Sequence, residues 1–293
     1  MRQRSRVTSA LRAVATVLSV LFTLGLPGYA SDRQGRVTEE FHQVYTISPE
    51  GRIELENING SVHITSWDRN EVKVDAIKRA WTKERLDEAR IEIDSHSGSL
   101  SIRTEYPHNG DSFWNGRHDD PASVEYSLVV PRHARLDEIK LVNGGLDIQD
   151  VDGEVHASCV NGRLQAHDLA GRATLGTVNG ELEATMARMP SAPLELSAVN
   201  GTLRLTLPSD AKAELEASTV SGGISNDFGL PVSHPFVGHH LRGELGGGGM
   251  HVKLTSVNGR IEILHANDNR PLSPAKNLER KPSRDDDDDD SEI

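Results

Sequence analysis

The first residues to test for chemistry are histidines. "SHPFVGHHLRGELGGGGMH" places His234, His239, His240 and His251 within 18 residues. Imidazole nitrogens bind zinc and copper well. The spacing argues against a centre, because His239 and His240 are adjacent and would point to opposite faces of a strand. No His-Glu-x-x-His pair stands nearby, and no cysteine or carboxylate has ligand spacing. The four histidines are the metal candidates of the chain, but they read as part of a structural or solvated loop. The glycine run of "GELGGGGMH", residues 243–251, lacks the Gly-Lys-Ser/Thr of a phosphate loop and the spacing of a dinucleotide fingerprint. It reads as a flexible turn between strands, and no cofactor is expected.

Three other features carry reactive groups. Residues 285–290 are six consecutive aspartates, which offer hard oxygen ligands without the glycine-turned spacing of a calcium loop. They read as a solvated acidic tail. Cys159 is the only cysteine, so no internal disulfide forms. It stands where matching segments hold Thr177, Ala198, Thr219 and Ser256, all small, so it reads as a small buried filler. Asp147, Gln165 and Glu183 recur at one position of a repeat and form a candidate binding face. A stacked column of this kind suits binding. Catalysis would need a paired acid and base, and no Gly-x-Ser-x-Gly elbow is present. A polysaccharide lyase or hydrolase on a β-helix is the enzymatic alternative.

These side chains are positioned by a repeat. Gly144, Gly153, Gly162, Gly171 and Gly180 follow one another at nine-residue steps, in "LVNGGLDI", "DVDGEVHA", "CVNGRLQA", "DLAGRATL" and "TVNGELEA". Looser copies follow at Gly201, Gly222 and Gly259, and an early copy, "NINGSVHI", stands apart at Gly60. After each glycine, apolar and polar residues alternate, as in Leu146/Ile148 and Leu164/Ala166, which is the period of a half-buried strand. The Asn-Gly pairs Asn59–Gly60, Asn143–Gly144, Asn161–Gly162, Asn179–Gly180, Asn200–Gly201 and Asn258–Gly259 read as structural turns. Asn tolerates the left-handed region and Gly adopts it without penalty.

Strong Asn-Gly corners alternate with weak Asp-Gly or Ala-Gly ones. That makes rungs of about 18 residues with two faces, widening to 21 at Gly201 and Gly222. The expected fold is therefore all-β: a β-solenoid, or stacked parallel β-helix-like repeat, whose asparagines bond up the stack. An antiparallel meander is the alternative. One short helix is expected over residues 82–89, with Thr82 as its N-cap. Residues 107–123 read as a long exposed loop.

The N-terminus reads as an export signal over residues 1–30. "MRQRSR" is basic, residues 13–26 are apolar, and "GYA" ends at a plausible cleavage position. The apolar run is short for a membrane span, so contact with a membrane is expected only if the signal stays uncleaved. Residues 31–135 read as a less regular β-rich part, 136–266 as the regular solenoid, and 267–293 as a disordered acidic tail. Formal charge is −12, and without the four arginines of the unaccompanied basic leader it becomes −16. That balance excludes a nucleic-acid partner.

The order of motifs is specific. "ITSWDRNEVKVDA" precedes a short helix, then "VEYSLVVP", then the "xVNGxLxx" ladder, ending in "LRGELGGGGMHVKLTSVNGRIEIL". Over roughly residues 40–265 the chain resembles the bacterial adhesin-like family of unknown function, β-strand-repeat envelope proteins with recurring V-N-G turns. The resemblance implies a stacked β-fold and export to the periplasm, cell envelope or outside, with no catalytic residues carried over. The expected function is an exported, non-enzymatic, adhesin-like protein that presents polar β-faces to an unknown envelope protein or surface polymer. A purely structural envelope protein is the further alternative. Solenoid ends need covering. The N-terminal part should cap one end, and either the insertion at 225–250 or the last strand at 260–264 the other.

Overall fold

A computed structural model describes residues 29–31, 35–106, 121–190 and 192–278. Most of the leader, most of the 107–123 loop and the aspartate run therefore lie outside the described residues. The alternating segments all become strands, because each has one apolar face to bury and one polar face to leave outside. The N-terminal part contains β1 (Tyr29–Ser31), β2 (Val37–Thr46), β3 (Arg52–Asn59), β4 (Val62–Trp67) and β5 (Glu71–Ala80). Helix α1 (Lys83–Glu88) follows, with the Thr82 hydroxyl accepting from the Arg85 amide at 3.3 Å and Leu86 buried. Then come β6 (Arg90–His96), β7 (Ser99–Glu105) and β8 (Ser123–Pro131).

The repeat supplies strands in pairs, one on each side of an Asn-Gly corner. They are β9 (Arg135–Asn143) and β10 (Leu146–Gln149), β11 (Val155–Asn161) and β12 (Leu164–His167), β13 (Ala173–Asn179) and β14 (Leu182–Thr185), β15 (Leu194–Asn200) and β16 (Leu203–Leu207). The C-terminal part adds β17 (Ala213–Ser221), β18 (Ile224–Asn226), β19 (His239–Leu245), β20 (Met250–Asn258), β21 (Ile261–His265) and β22 (Ala275–Asn277).

Two eleven-stranded sheets result. One runs β1-β2-β5-β8-β4-β10-β12-β14-β16-β21-β18, the other β22-β19-β17-β20-β15-β13-β11-β9-β3-β7-β6. Within the stack, neighbouring rungs pair in parallel, with Leu164 beside Leu182 and Asn161 beside Asn179. This is the solenoid geometry, and it rules out a simple meander. The core lies between the sheets, where Leu146, Ile148, Leu164 and Leu182 meet Val155, Leu175, Leu194 and Leu196, all buried. Each such aliphatic contributes about 1.5–3 kcal/mol on burial. Cys159 is buried in the same layer, in register with Thr177.

The corners explain the glycine step. Gly162 has φ 149°, and a Cβ there would sit 1.8 Å from the carbonyl oxygen of Gly144 in the next rung. A side chain would therefore push two rungs apart. Beside the glycines, the asparagines form one continuous ladder. Asn143 Nδ2 donates to Asn59 Oδ1 at 2.9 Å, Asn161 to Asn143 at 3.0 Å, Asn179 to Asn161 at 3.0 Å, Asn200 to Asn179 at 2.9 Å and Asn258 to Asn200 at 3.0 Å.

Rung order departs from chain order at both ends. The β3/β4 rung lies between β7/β8 and β9/β10, and the β20/β21 rung lies between β15/β16 and β17/β18. So the last repeat strand, expected as one of two candidate caps, is interior. Antiparallel strands cover the ends: β6 on β7, β5 on β8 with β2 on β5, and β19 on β17. The insertion at 225–250 supplies β19, whose other edge is covered by β22. Residues 267–278, expected within a disordered tail, instead run along the surface and add β22 to the β19 edge, with Ser273 their one buried residue. Ser273 donates to the Ala211 carbonyl at 2.6 Å, and Arg270 pairs with Asp210 at 2.9 Å. The β19 edge and the residue-211 turn give this segment backbone partners that its polar composition does not announce. No helix among the described residues is long and apolar enough to cross a membrane.

Candidate binding face

The residue three places after each corner glycine points out of the first sheet. Register puts Asp147 beside Gln165 and Gln165 beside Glu183, so the three residues of the candidate face do form a column. The column does not stop there. Glu183 lies beside Arg204, Arg204 beside Glu262 and Glu262 beside Ser225. In the other direction Asp147 lies beside His63, His63 beside Ser127, Ser127 beside Asp75, and Asp75 beside His42. One row of polar side chains thus crosses ten strands at the roughly 4.8 Å strand spacing.

The two halves of the row differ in charge state. Beyond Glu183, ion pairs close it: Arg204 bonds Glu262 at 3.0 Å and Glu181 at 3.1 Å, and Arg163 bonds Glu181 at 3.1 Å. The Glu262 carboxylate raises the Arg204 pKa above its ordinary value. The half between His42 and Gln165 is open. Here Ser61 and Gly145 stand where later rungs carry Arg163 and Glu181, so the surface drops into two adjoining depressions of about 420 and 390 Å³ that share Ser61 and His63. Their walls include His42, Lys73 and Asp75 at one end and Arg163 and Gln165 at the other.

Inside this groove the carboxylates are held. His42 Nδ1 lies 2.8 Å from Asp75, and Lys73 Nζ lies 2.6 Å from the same carboxylate. Burial favours the neutral Asp75, but the bonds from Lys73 and His42 outweigh it and leave the pKa below its ordinary value. Bonds to Asp75 and then Glu40 raise the His42 pKa. Asp147 Oδ2 takes Gln149 Nε2 at 2.8 Å and His63 Nδ1 at 3.3 Å. Its Oδ1 is buried without a protein partner. An acceptor left this way costs about 1–3 kcal/mol.

Ser127, His63 and Asp147 stand in the order of a nucleophile, a base and its orienting acid. The setting is unsuited to that chemistry. The His63 side chain is 60% exposed, and strand amides in mid-sheet are committed to neighbouring strands, so the face offers no oxyanion donors.

The other candidates fall elsewhere. His234 and His239 pack ring to ring, edge on, with centroids 4.7 Å apart. His239 and His240 lie on β19, and His251 lies on β20. Among the described residues no group of three or more His, Cys, Asp or Glu side chains is placed to hold a metal. The glycine run is the turn joining β19 to β20, with positive φ at Gly246, Gly247, Gly248 and Gly249. The Asn-Gly corners lie along one edge, and Gly144 and Gly162 line the second depression. Sequence reasoning missed His63, Arg204 and Glu262, although each stands three residues after a corner glycine, as Asp147 does. It could not find His42, Asp75 or Ser127, which lie on strands outside the repeat.

Residues 132–264 match the family model described as Toastrack DUF4097. No curated protein matches the chain. Among solved structures, a proposed cell adhesion protein from Clostridium sporogenes is 11% identical, with a TM-score of 0.45, over 77% of this chain and 99% of that one. A proposed adhesin from Bacteroides fragilis is 10% identical, with a TM-score of 0.34, over 77% and 96%. A proposed lipid binding protein from Parabacteroides distasonis is 10% identical, with a TM-score of 0.27, over 78% and 97%.

Proposed function

On the premise of the match of residues 132–264 to the Toastrack DUF4097 family model, we propose that the chain is an exported, non-enzymatic, adhesin-like envelope protein. Its ligand-facing surface is the open half of the polar row, between His42 and Gln165. The ligand is rich in hydroxyl donors and acceptors, as a surface polymer segment is. The observation that carries this reading is the pair of adjoining depressions whose lining includes His42, His63, Asp75, Asp147 and Gln165, where the ion pairs of the later rungs give way to open polar side chains. Export is supported by the leader pattern of residues 1–30.

The test is a glycan array and an envelope pull-down with the purified protein, repeated with Asp147→Ala, Gln165→Ala and Glu183→Ala. Binding should be lost in Asp147→Ala, weakened in Gln165→Ala, and little changed in Glu183→Ala, which lies at the margin of the groove. Binding that survives all three changes removes this face from the reading. Turnover of a polymeric uronate that falls with Asp147→Ala would favour the polysaccharide-active alternative.

A further inference from the structure

Six Asn-Gly pairs stand among the described residues, at Asn59, Asn143, Asn161, Asn179, Asn200 and Asn258. Asparagine is chemically labile, and most so before glycine, whose nitrogen no side chain shields. The reaction needs no enzyme. The glycine nitrogen gives up its proton and attacks Cγ of the asparagine. A bond from that nitrogen to Cγ forms, the bond from Cγ to Nδ2 breaks, and the side-chain nitrogen leaves as ammonia with the proton. The product is a succinimide ring. Water then opens the ring at either carbonyl and leaves aspartate or isoaspartate. Five of the six asparagines are exposed and Asn59 is half-buried, so water reaches them all.

The stack opposes the first step at every corner. Each corner glycine amide donates to a carbonyl of the neighbouring rung. Gly60 bonds Asn143 at 3.0 Å, Gly144 bonds Asn161 at 3.1 Å, Gly162 bonds Asn179 at 3.0 Å, Gly180 bonds Asn200 at 3.0 Å, Gly201 bonds Asn258 at 3.1 Å and Gly259 bonds Ser221 at 2.8 Å. An amide committed in this way keeps its proton, so the attacking nitrogen does not form. The side chains are tied as well. Asn143, Asn161, Asn179 and Asn200 each give one ladder bond through Nδ2 and take one at Oδ1, so Cγ cannot turn towards the glycine without breaking both. Asn59 takes a bond from Asn143 and also bonds the Tyr106 hydroxyl. Asn258 is held by one bond. Its Nδ2 donates to Asn200 at 3.0 Å, but the next rung carries Ser221, and no ladder donor reaches its Oδ1.

We propose that the corner asparagines are latent deamidation sites, locked while the stack is closed and released where it opens, with Asn258 the first to react. The ladder cannot repair the lesion. A carboxylate in place of the Asn258 amide has no N–H to give, so Oδ1 of Asn200 loses its donor and faces a charged oxygen. Asn200 then becomes the new end of the ladder, and Asn179 follows it by the same step. Isoaspartate also lengthens the main chain at corners that have no slack: a Cβ on Gly201 would sit 1.8 Å from the Gly180 carbonyl oxygen. Damage therefore runs along the ladder from its Asn258 end.

The test follows each site by peptide mapping and mass spectrometry while the purified protein ages in mildly alkaline buffer. A synthetic peptide of residues 177–184 in the same buffer gives the rate of an unlocked Asn-Gly pair. In the folded chain Asn179 should convert at least about tenfold more slowly than in the peptide, because only the open fraction reacts. In urea all six sites should approach the peptide rate. Asn258 should lead in the folded chain, followed by Asn200. Asn258→Ala moves the end of the ladder by one rung, so Asn200 should convert several-fold faster than in the parent while Asn161 does not change. Circular dichroism and melting of that variant show whether the stack is still closed. Conversion of Asn179 in the folded chain at the peptide rate overturns the proposal. So does an interior asparagine that reacts before Asn258, or an Asn200 that gains nothing in a folded Asn258→Ala chain.

Discussion

Replacing Gly162 with Ala tests the corner geometry at the point where it is tightest. The Cβ would meet the Gly144 carbonyl oxygen at 1.8 Å, with φ at 149°. Reaching even 3.0 Å needs the two rungs to separate locally by about 1.2 Å. Strain at a conformation reserved for glycine costs about 1–3 kcal/mol. The displacement also loosens the bonds that tie this corner to its neighbours. They run from the Gly144 amide to the Asn161 carbonyl at 3.1 Å and from the Gly162 amide to the Asn179 carbonyl at 3.0 Å. At about 1 kcal/mol each these bring the total to about 4 kcal/mol. For a domain of this size, 2–4 °C per kcal/mol converts that to a melting temperature lower by roughly 8–16 °C. Gly145→Ala, one residue from the preceding corner, is the control: its nearest contact is the Ser61 hydroxyl at 3.7 Å, in a conformation open to any residue. It should melt within about 2 °C of the parent. Thermal unfolding followed by circular dichroism separates the two. If Gly162→Ala also melts within about 2 °C of the parent, steric contact between stacked corners is not what requires the glycines.

Other outcomes follow from the same structure. Asn161→Ala removes two ladder bonds, one given to Asn143 and one taken from Asn179. It should lower stability by about 1–2 kcal/mol in urea, and a loss equal to that of Gly162→Ala would refute the ranking. Burial pushes the Cys159 thiol pKa up, so a thiol reagent at mildly alkaline pH should label the native protein only at the rate of unfolding. Rapid labelling would show that the layer opens. The His42 pKa is raised above 6.5 by its bonds to Asp75 and Glu40. Its contribution to stability is therefore complete below that value and is lost as pH rises through the folded pKa. An NMR titration should place the His42 midpoint above those of free imidazoles, and a midpoint at or below 6.5 would contradict the pairing. Deleting residues 225–250 strips β19 from the edge of β17. The product should aggregate, and a soluble monomeric product would show that this edge needs no cover.

What could be read directly was local. The Val-Asn-Gly step, the alternation after it, the Thr82 cap and the small residue at Cys159 each reflect a demand made on a few consecutive residues. The Asn ladder was readable too, because equal spacing in the chain becomes stacking in a solenoid. The column of Asp147, Gln165 and Glu183 was readable for the same reason. Its extension through His63, Arg204 and Glu262 lay at the same offset from the corner glycines, and only the looseness of those copies hid it.

The sequence by itself therefore determined that the chain is a stack of two-stranded rungs with glycine corners. A corner's φ and a strand's burial pattern are properties of short segments. Only the tertiary structure decided the order of the rungs. Every rung presents nearly the same burial pattern and the same parallel edge, so β3/β4 and β20/β21 fit their neighbours as well inside the stack as at its ends. The choice falls to the longer connections and to the antiparallel strands that cover the outermost edges. That choice also built the groove. It brought His42, Asp75 and Ser127 from non-repeat strands to one side of His63 and Asp147, a single row of residues up to 105 positions apart that no local pattern encodes.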